Sequence, residues 1–223
     1  MPFGSELFSG EQSIRCSACA ALVGLLVVAV LATGCEESGS SAGYEQTVMQ
    51  ERVQRDMQMR EKNSVLAPKY RDTFKGLDYF AVDSTYRYEV PLRMRPSPDT
   101  VMLAESTGRI REQVRLGRVT VPLLSGEEQL TVFKGEGDNP RGRLWIPFAD
   151  ATNGDETYKA GRYVDLTRTD GDSVVIDFNR AYNPTCVYNP EYACPLPPDE
   201  NEIDAPVPAG EKTPKFARSS SSE

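Results

Sequence analysis

YRYEVPLRMRPSPDTVMLAESTGRIREQVRLGRVTVPLLSGEEQLTVFK, residues 86–134, decides the fold class. Short runs rich in Val, Leu, Thr and Tyr alternate with turn residues at nearly regular spacing, which is how consecutive antiparallel strands read. The spacing predicts strands at Tyr86–Met94, Val101–Ser106, Arg109–Leu116, Val119–Leu124 and Leu130–Lys134. Turns are expected at Ser97-Pro98-Asp99, Thr107-Gly108, Leu116-Gly117 and Ser125-Gly126,. Further on, Arg143–Phe148, Gly161–Thr167 and Ser173–Asn179 continue the texture, the last two parted by Asp170-Gly171. No glycine-rich strand-to-helix phosphate loop interrupts it, so alternating β-α folds are excluded. The expectation is a mainly β domain, an antiparallel barrel or sandwich of about seven or eight strands, with one N-terminal amphipathic helix.

That helix is expected over Tyr44–Asn63, where Tyr44, Val48, Val53 and Met57 give an apolar face,. The preceding EESGSSAG, residues 36–43, reads as a flexible tether, and residues 213–223 as a disordered tail,. The domain is therefore expected to be residues 44–212.

The amino terminus reads as an address. Residues Ala18–Ala32 are uninterruptedly apolar, follow Arg15 and lead into Thr33-Gly34-Cys35. A short apolar run ending in small residues and a cysteine is the pattern of a lipoprotein signal. Residues 1–34 would be removed and Cys35 would carry the lipid. The domain would then face the periplasm or the cell exterior, held to a membrane by its acyl chains. An uncleaved membrane anchor is the alternative.

Composition narrows the chemistry. The chain has no histidine, which removes Ser-His-Asp and Cys-His catalysis and every His-ligated metal site,. A net charge of −8, with no basic cluster, argues against nucleic acid as a partner,. Once the signal leaves and Cys35 is lipidated, Cys186 and Cys194 remain. In an oxidising compartment an even remainder suggests one disulfide, worth about 2.5 kcal/mol on the loop-closure argument.

Two late segments hold the densest polar and aromatic chemistry: RLWIPFADATNGDETYKAGRYVDL, residues 143–166, and DFNRAYNPTCVYNPEYACPLPP, residues 177–198. Asn153-Gly154 marks a tight turn. A calcium loop starting at Asp150 fails its template, since Asp155 and Gly161 stand where glycine and glutamate are needed,. No metal or cofactor is expected.

These same residues carry a family resemblance. The block from Pro147-Phe148 through Asp150, Thr152, Gly154 and Glu156-Thr157-Tyr158 to Gly161-Arg162-Tyr163 resembles the bacterial domain-of-unknown-function family 1684. So do Asp177 through Pro184, Cys186, Cys194 through Pro198, and Glu200-Asn201. The opening FKGLDYFAVDSTYRY at 74–88 is also similar. The resemblance spans roughly residues 50–212 and implies neither an activity nor catalytic residues.

On the residues themselves, Arg162 with Glu156, Tyr158 and Tyr163 offers a cation, a carboxylate and phenols within eight positions,. With Asp177, Asn179, Arg180 and Asn183 they form the candidate ligand site, expected at the barrel mouth and suited to a small polar or anionic molecule,. A structural Arg162 ion pair, with Asp177 or Asp165 as its partner, is the competing reading. Two alternatives to a binding module stand. One is a hydrolase using Asp150, Glu156 or Asp177 as base. The other is an envelope structural or partner-binding protein that uses the Tyr44–Asn63 helix as its contact surface.

Overall fold

Alternation along the strands sorts side chains onto two faces, and both faces are used. The computed structural model describes residues 37–135 and 142–218. Seven antiparallel strands follow one another across a curled half-barrel sheet in the order β1-β7-β6-β5-β4-β3-β2. They are β1 (Arg87–Pro91), β2 (Arg93–Ala104), β3 (Ile110–Leu123), β4 (Gly126–Gly135), β5 (Arg143–Asp150), β6 (Arg162–Arg168) and β7 (Ser173–Asp177). A two-residue β8 (Glu202–Ile203) adds to β5 in parallel. Leu92, buried, is the single residue between β1 and β2. The expected signal and the first residue of the tether lie outside the described residues. No helix among those described is long and apolar enough to cross a membrane.

Two expected turns are irregularities inside long strands. Ser97-Pro98-Asp99 falls within β2, where the register with β3 shifts between Met94 and Asp99. Leu116-Gly117 falls within β3, at a bulge against β4. A β-carbon at Gly117 would meet the Arg93 carbonyl oxygen at 2.5 Å, so glycine serves close backbone approach there and not chain reversal,. The predicted strands thereby merge: Arg109–Leu116 and Val119–Leu124 become β3, while Tyr86–Met94 and Val101–Ser106 are redistributed over β1 and β2.

The inner face of the sheet is the main core. Val119, Val121, Leu130, Val132, Leu144, Ile146, Val164 and Ile176 alternate inward along β3 to β7. Each large side chain buried this way contributes roughly 1.5–3 kcal/mol. Phe148 packs edge-on against Phe178 at 5.2 Å. Ile203, Val207 and Ala209, from the segment after the last long strand, fold back into this core. The outer face buries a second cluster of Leu103, Phe133, Trp145, Tyr163 and Cys194.

Helix α1 runs Glu37–Arg60, so it begins inside the stretch expected as a tether. Its docked face differs from the expected one. Val48, Arg52 and Met59 are buried, whereas Val53 and Met57 are 57% and 63% exposed. A spacing of four, then seven, follows the helical repeat better than the expected stripe, and it places an arginine on the buried side. Arg52 is tolerated because its guanidinium donates to the Phe80 and Asn179 carbonyls at 2.8 and 3.1 Å and lies 4.4 Å from the centre of the Tyr79 ring. Its aliphatic stem supplies the apolar contact.

The last described residues are also ordered into the fold. The short helix Lys215–Arg218 sits in the segment expected to be a disordered tail, and Phe216 stacks on Tyr70 at 4.5 Å. One aromatic anchors what composition alone marks as polar.

Candidate functional site

The eight expected site residues do not form one site. Arg162 is fully buried, and both terminal nitrogens of its guanidinium are bonded within the fold, while its Nε has no partner. It pairs with the equally buried Asp150 at 2.8 Å and donates to the carbonyls of Val207 and Ala209 at 2.9 and 2.5 Å. Asp150 in turn accepts from Thr152 N and Oγ1 at 2.9 and 2.6 Å and from Val207 N at 3.2 Å. The pair therefore fastens the C-terminal segment beneath the sheet. Gly161, at φ 89, lets the chain enter β6 here: a β-carbon would lie 2.6 Å from the Phe148 carbonyl oxygen.

Asp177 is equally internal, accepting from Tyr44 Oη at 2.8 Å and from Asn179 N at 3.1 Å, and pairing with Arg180. Glu156 pairs with Lys212 at 3.0 Å. Tyr158 is half-buried, its carbonyl accepting from Asn153 Nδ2 at 2.7 Å. Of the three carboxylates considered as catalytic bases, Asp150 and Asp177 are buried in the fold and Glu156 is a half-exposed partner of Lys212; none lines either hollow described below.

The larger hollow is a cleft of about 460 Å³ on the outer face of the sheet, not at the barrel mouth. Its floor comes from alternate positions of β3 and β5: Arg111 and Gln113, then Arg143 and Trp145. These positions lie opposite the core-facing Leu144 and Ile146, so the pleat that fills the core also supplies the floor. Tyr163 of β6 adds to it. The walls are Arg55 of α1 and residues of the 182–195 segment, among them Tyr182, Asn183, Tyr188 and Cys194. Of the expected site residues, Tyr163 and Asn183 line this cleft. Asn179 and Arg180 line a smaller hollow of about 180 Å³ beneath α1, which shares Arg55 and Tyr182 with the first.

Three guanidinium groups from three elements converge on the cleft, each with a carboxylate behind it. Arg111 meets Glu105 at 2.5 Å, Arg143 meets Asp165 at 2.7 Å, and Arg55 lies 3.8 Å from Glu211. Arg55 and Arg143 both stand over the Tyr182 ring, at 5.4 and 5.9 Å. Trp145 packs edge-on against Tyr163 at 4.8 Å. Tyr163 donates to the Pro195 carbonyl at 2.5 Å, and burial pushes its phenol, like that of Tyr182, well above the ordinary range. Neither phenol ionises near neutrality.

Three residues of the cleft carry a buried polar atom without a hydrogen-bond partner: the indole Nε1 of Trp145, the Nε of Arg55 and the Oδ1 of Asn183. Leaving such groups unmade costs about 1–3 kcal/mol each.

At the back of the cleft, Glu211 is fully buried and accepts from Asn183 N at 3.0 Å and from the Tyr188 hydroxyl. Burial raises its pKa above the ordinary carboxylate value of 4.5, against the pull of Arg55. Cys194 in the cleft wall and Cys186 next to it are free thiols, where a disulfide is expected from the sequence. The Cys186 amide donates to Cys194 Sγ at 3.1 Å. Among the described residues, no three of the Cys, Asp and Glu side chains converge as metal ligands would.

The sequence reading missed Arg55, Arg111, Gln113, Arg143 and Trp145. Its available signal was Arg-x-Gln at 111–113 and Arg-x-Trp at 143–145, each on the non-core phase of a strand. A tryptophan on that phase announces a second covered face.

Comparison with known proteins places the chain. It belongs to the family described as "Protein of unknown function (DUF1684)", matched over residues 72–212. It is also similar to an uncharacterized protein of Haloarcula marismortui whose structure was determined by solution NMR. Identity there is 32%, coverage is 79% of this chain and 97% of the other, and the TM-score is 0.61. No curated protein matches the chain.

Proposed function

We propose that the domain is a binding module for a small anionic molecule, one carrying a carboxylate or similar group on an apolar or aromatic body. The observation that carries this reading is the meeting of Arg55, Arg111 and Arg143 on one cleft lined by Tyr182 and Trp145. Planar guanidinium forks match a carboxylate, and the faces of Tyr182 and Trp145 suit an apolar body. The volume falls within the range of small-molecule pockets. Native mass spectrometry of gently purified protein tests it: a retained small anion is expected. Titration of Trp145 emission with a panel of aromatic and aliphatic carboxylates follows, with Arg111→Ala weakening binding about tenfold or more. No adduct and no response across the panel would count against the module.

The protein acts, on this proposal, as a lipoprotein at the cell envelope, anchored to its membrane through Cys35. Support comes from the apolar run Ala18–Ala32, the small residues after it and the cysteine,. Cys35→Ser is expected to move the protein from the membrane fraction to the soluble one. A mature chain that still carries residues 1–34 would sink the lipoprotein reading.

A further inference from the structure

The two cysteines differ in a way a purely structural pair need not. Cys186 is partly exposed, while Cys194 is 6% exposed and belongs to the Trp145–Tyr163 cluster. The Cys186 amide donates to Cys194 Sγ at 3.1 Å, so the two residues are in direct contact. Ser106, in the turn between β2 and β3, also fixes Cys194, accepting from Cys194 N at 3.2 Å and donating its own amide to the Cys194 carbonyl at 2.9 Å. Of two adjacent thiols, the one that reaches solvent is the attacking group.

We propose that Cys186 and Cys194 form a reversible redox site, with Cys186 attacking a small disulfide and Cys194 resolving the product. In the first step the Cys186 thiolate bonds to one sulfur of the small disulfide RSSR. Its S–S bond breaks and RS⁻ leaves with the electron pair. In the second, Cys194 passes its proton to solvent and its sulfur attacks Cys186. The mixed disulfide breaks, a second RS⁻ leaves, and the protein bridge closes. Two protein thiols are oxidised, one small disulfide is reduced to two thiols, and the released protons balance the two RS⁻.

Electrostatics agree with this division of labour. Hydrogen bonding holds the partly exposed Cys186 thiol below the ordinary cysteine range, the direction an attacking sulfur needs. The site needs no occupant in the cleft, so its failure and the failure of the binding module are separable.

Full-length protein, reduced and freed of reductant, is treated with oxidised glutathione and mapped by tryptic digestion. Both cysteines fall in the single peptide 181–212, apart from Cys16, Cys19 and Cys35. The peptide is expected to lose two hydrogens, and dithiothreitol restores them without denaturant. Emission of Trp145, the one tryptophan of the chain, changes in step. Cys194→Ser stops at a glutathione adduct on Cys186. Cys186→Ser leaves Cys194 reacting at least about tenfold more slowly. Four results overturn the proposal: wild-type thiols that stay reduced, an adduct that never resolves, a bridge reducible only after unfolding, or equal reactivity of Cys194 in Cys186→Ser.

Discussion

Arg162 and Asp150 meet where neither reaches water, and the side chain of Arg162 is spent on carbonyls 45 to 49 residues further along. A buried ion pair is expensive to form and more expensive to break, because the surviving charge stays desolvated. Arg162→Ala is therefore expected to lower the unfolding free energy by about 3–5 kcal/mol, read as a shift of the denaturant midpoint. Asp150→Ala in the same chain should return part of that loss, and strict additivity of the two changes would contradict the pairing. This is also where the sequence was hardest to read. Arg162 sits among aromatics and carboxylates that look like a site, but beside Asp150 its partners are backbone oxygens, which no side-chain spacing announces.

Among the elements, α1 shows how a stripe is misread. Val53 and Met57 are the apolar residues that catch the eye, yet the helix docks through Val48, Arg52 and Met59. Arg52→Ala is expected to cost about 1.5–3 kcal/mol, since two charge-assisted hydrogen bonds and a ring contact vanish. Val53→Ala and Met57→Ala should each stay within about 0.5 kcal/mol. Thermal or chemical unfolding of the three variants settles which face packs. The strands teach a related lesson. Period-two alternation was legible from Tyr86 to Asp177, so strand existence and antiparallel pairing could be read. Boundaries could not, because Gly117 and Pro98 signal irregular geometry whether the chain reverses or only bulges.

For the whole molecule, the fold class follows from one face of the sheet and the candidate site from the other. The inner face announces itself through valines and leucines. The cleft draws on α1, β3, β5, β6 and the 182–195 segment, so no contiguous stretch contains it. Tyr163 and Asn183 were legible because they stand in the dense late motifs; Arg55 and Arg111 were not. Glu211 ties these parts together, receiving Asn183 N and the Tyr188 hydroxyl beside Arg55. Its folded-state pKa is raised by burial, so between 4.5 and that raised value the folded chain holds a proton the unfolded chain has lost. Its contribution is full below the unfolded value and falls as pH rises through that window. Glu211→Gln should remove this decline. Denaturation of both proteins across pH 4 to 7 measures it, and parallel pH profiles would refute it.

The carbonyls that satisfy Arg162 lie at Val207, Ala209 and Glu211, close to the carboxyl end of the chain. A ribosome makes them after every strand of the sheet. Until they emerge, Arg162 has a carboxylate but not its cradle, and the inner core lacks Val207 and Ala209. A chain cut after Asp204 is therefore expected to keep every strand and to lose the cradle of Arg162.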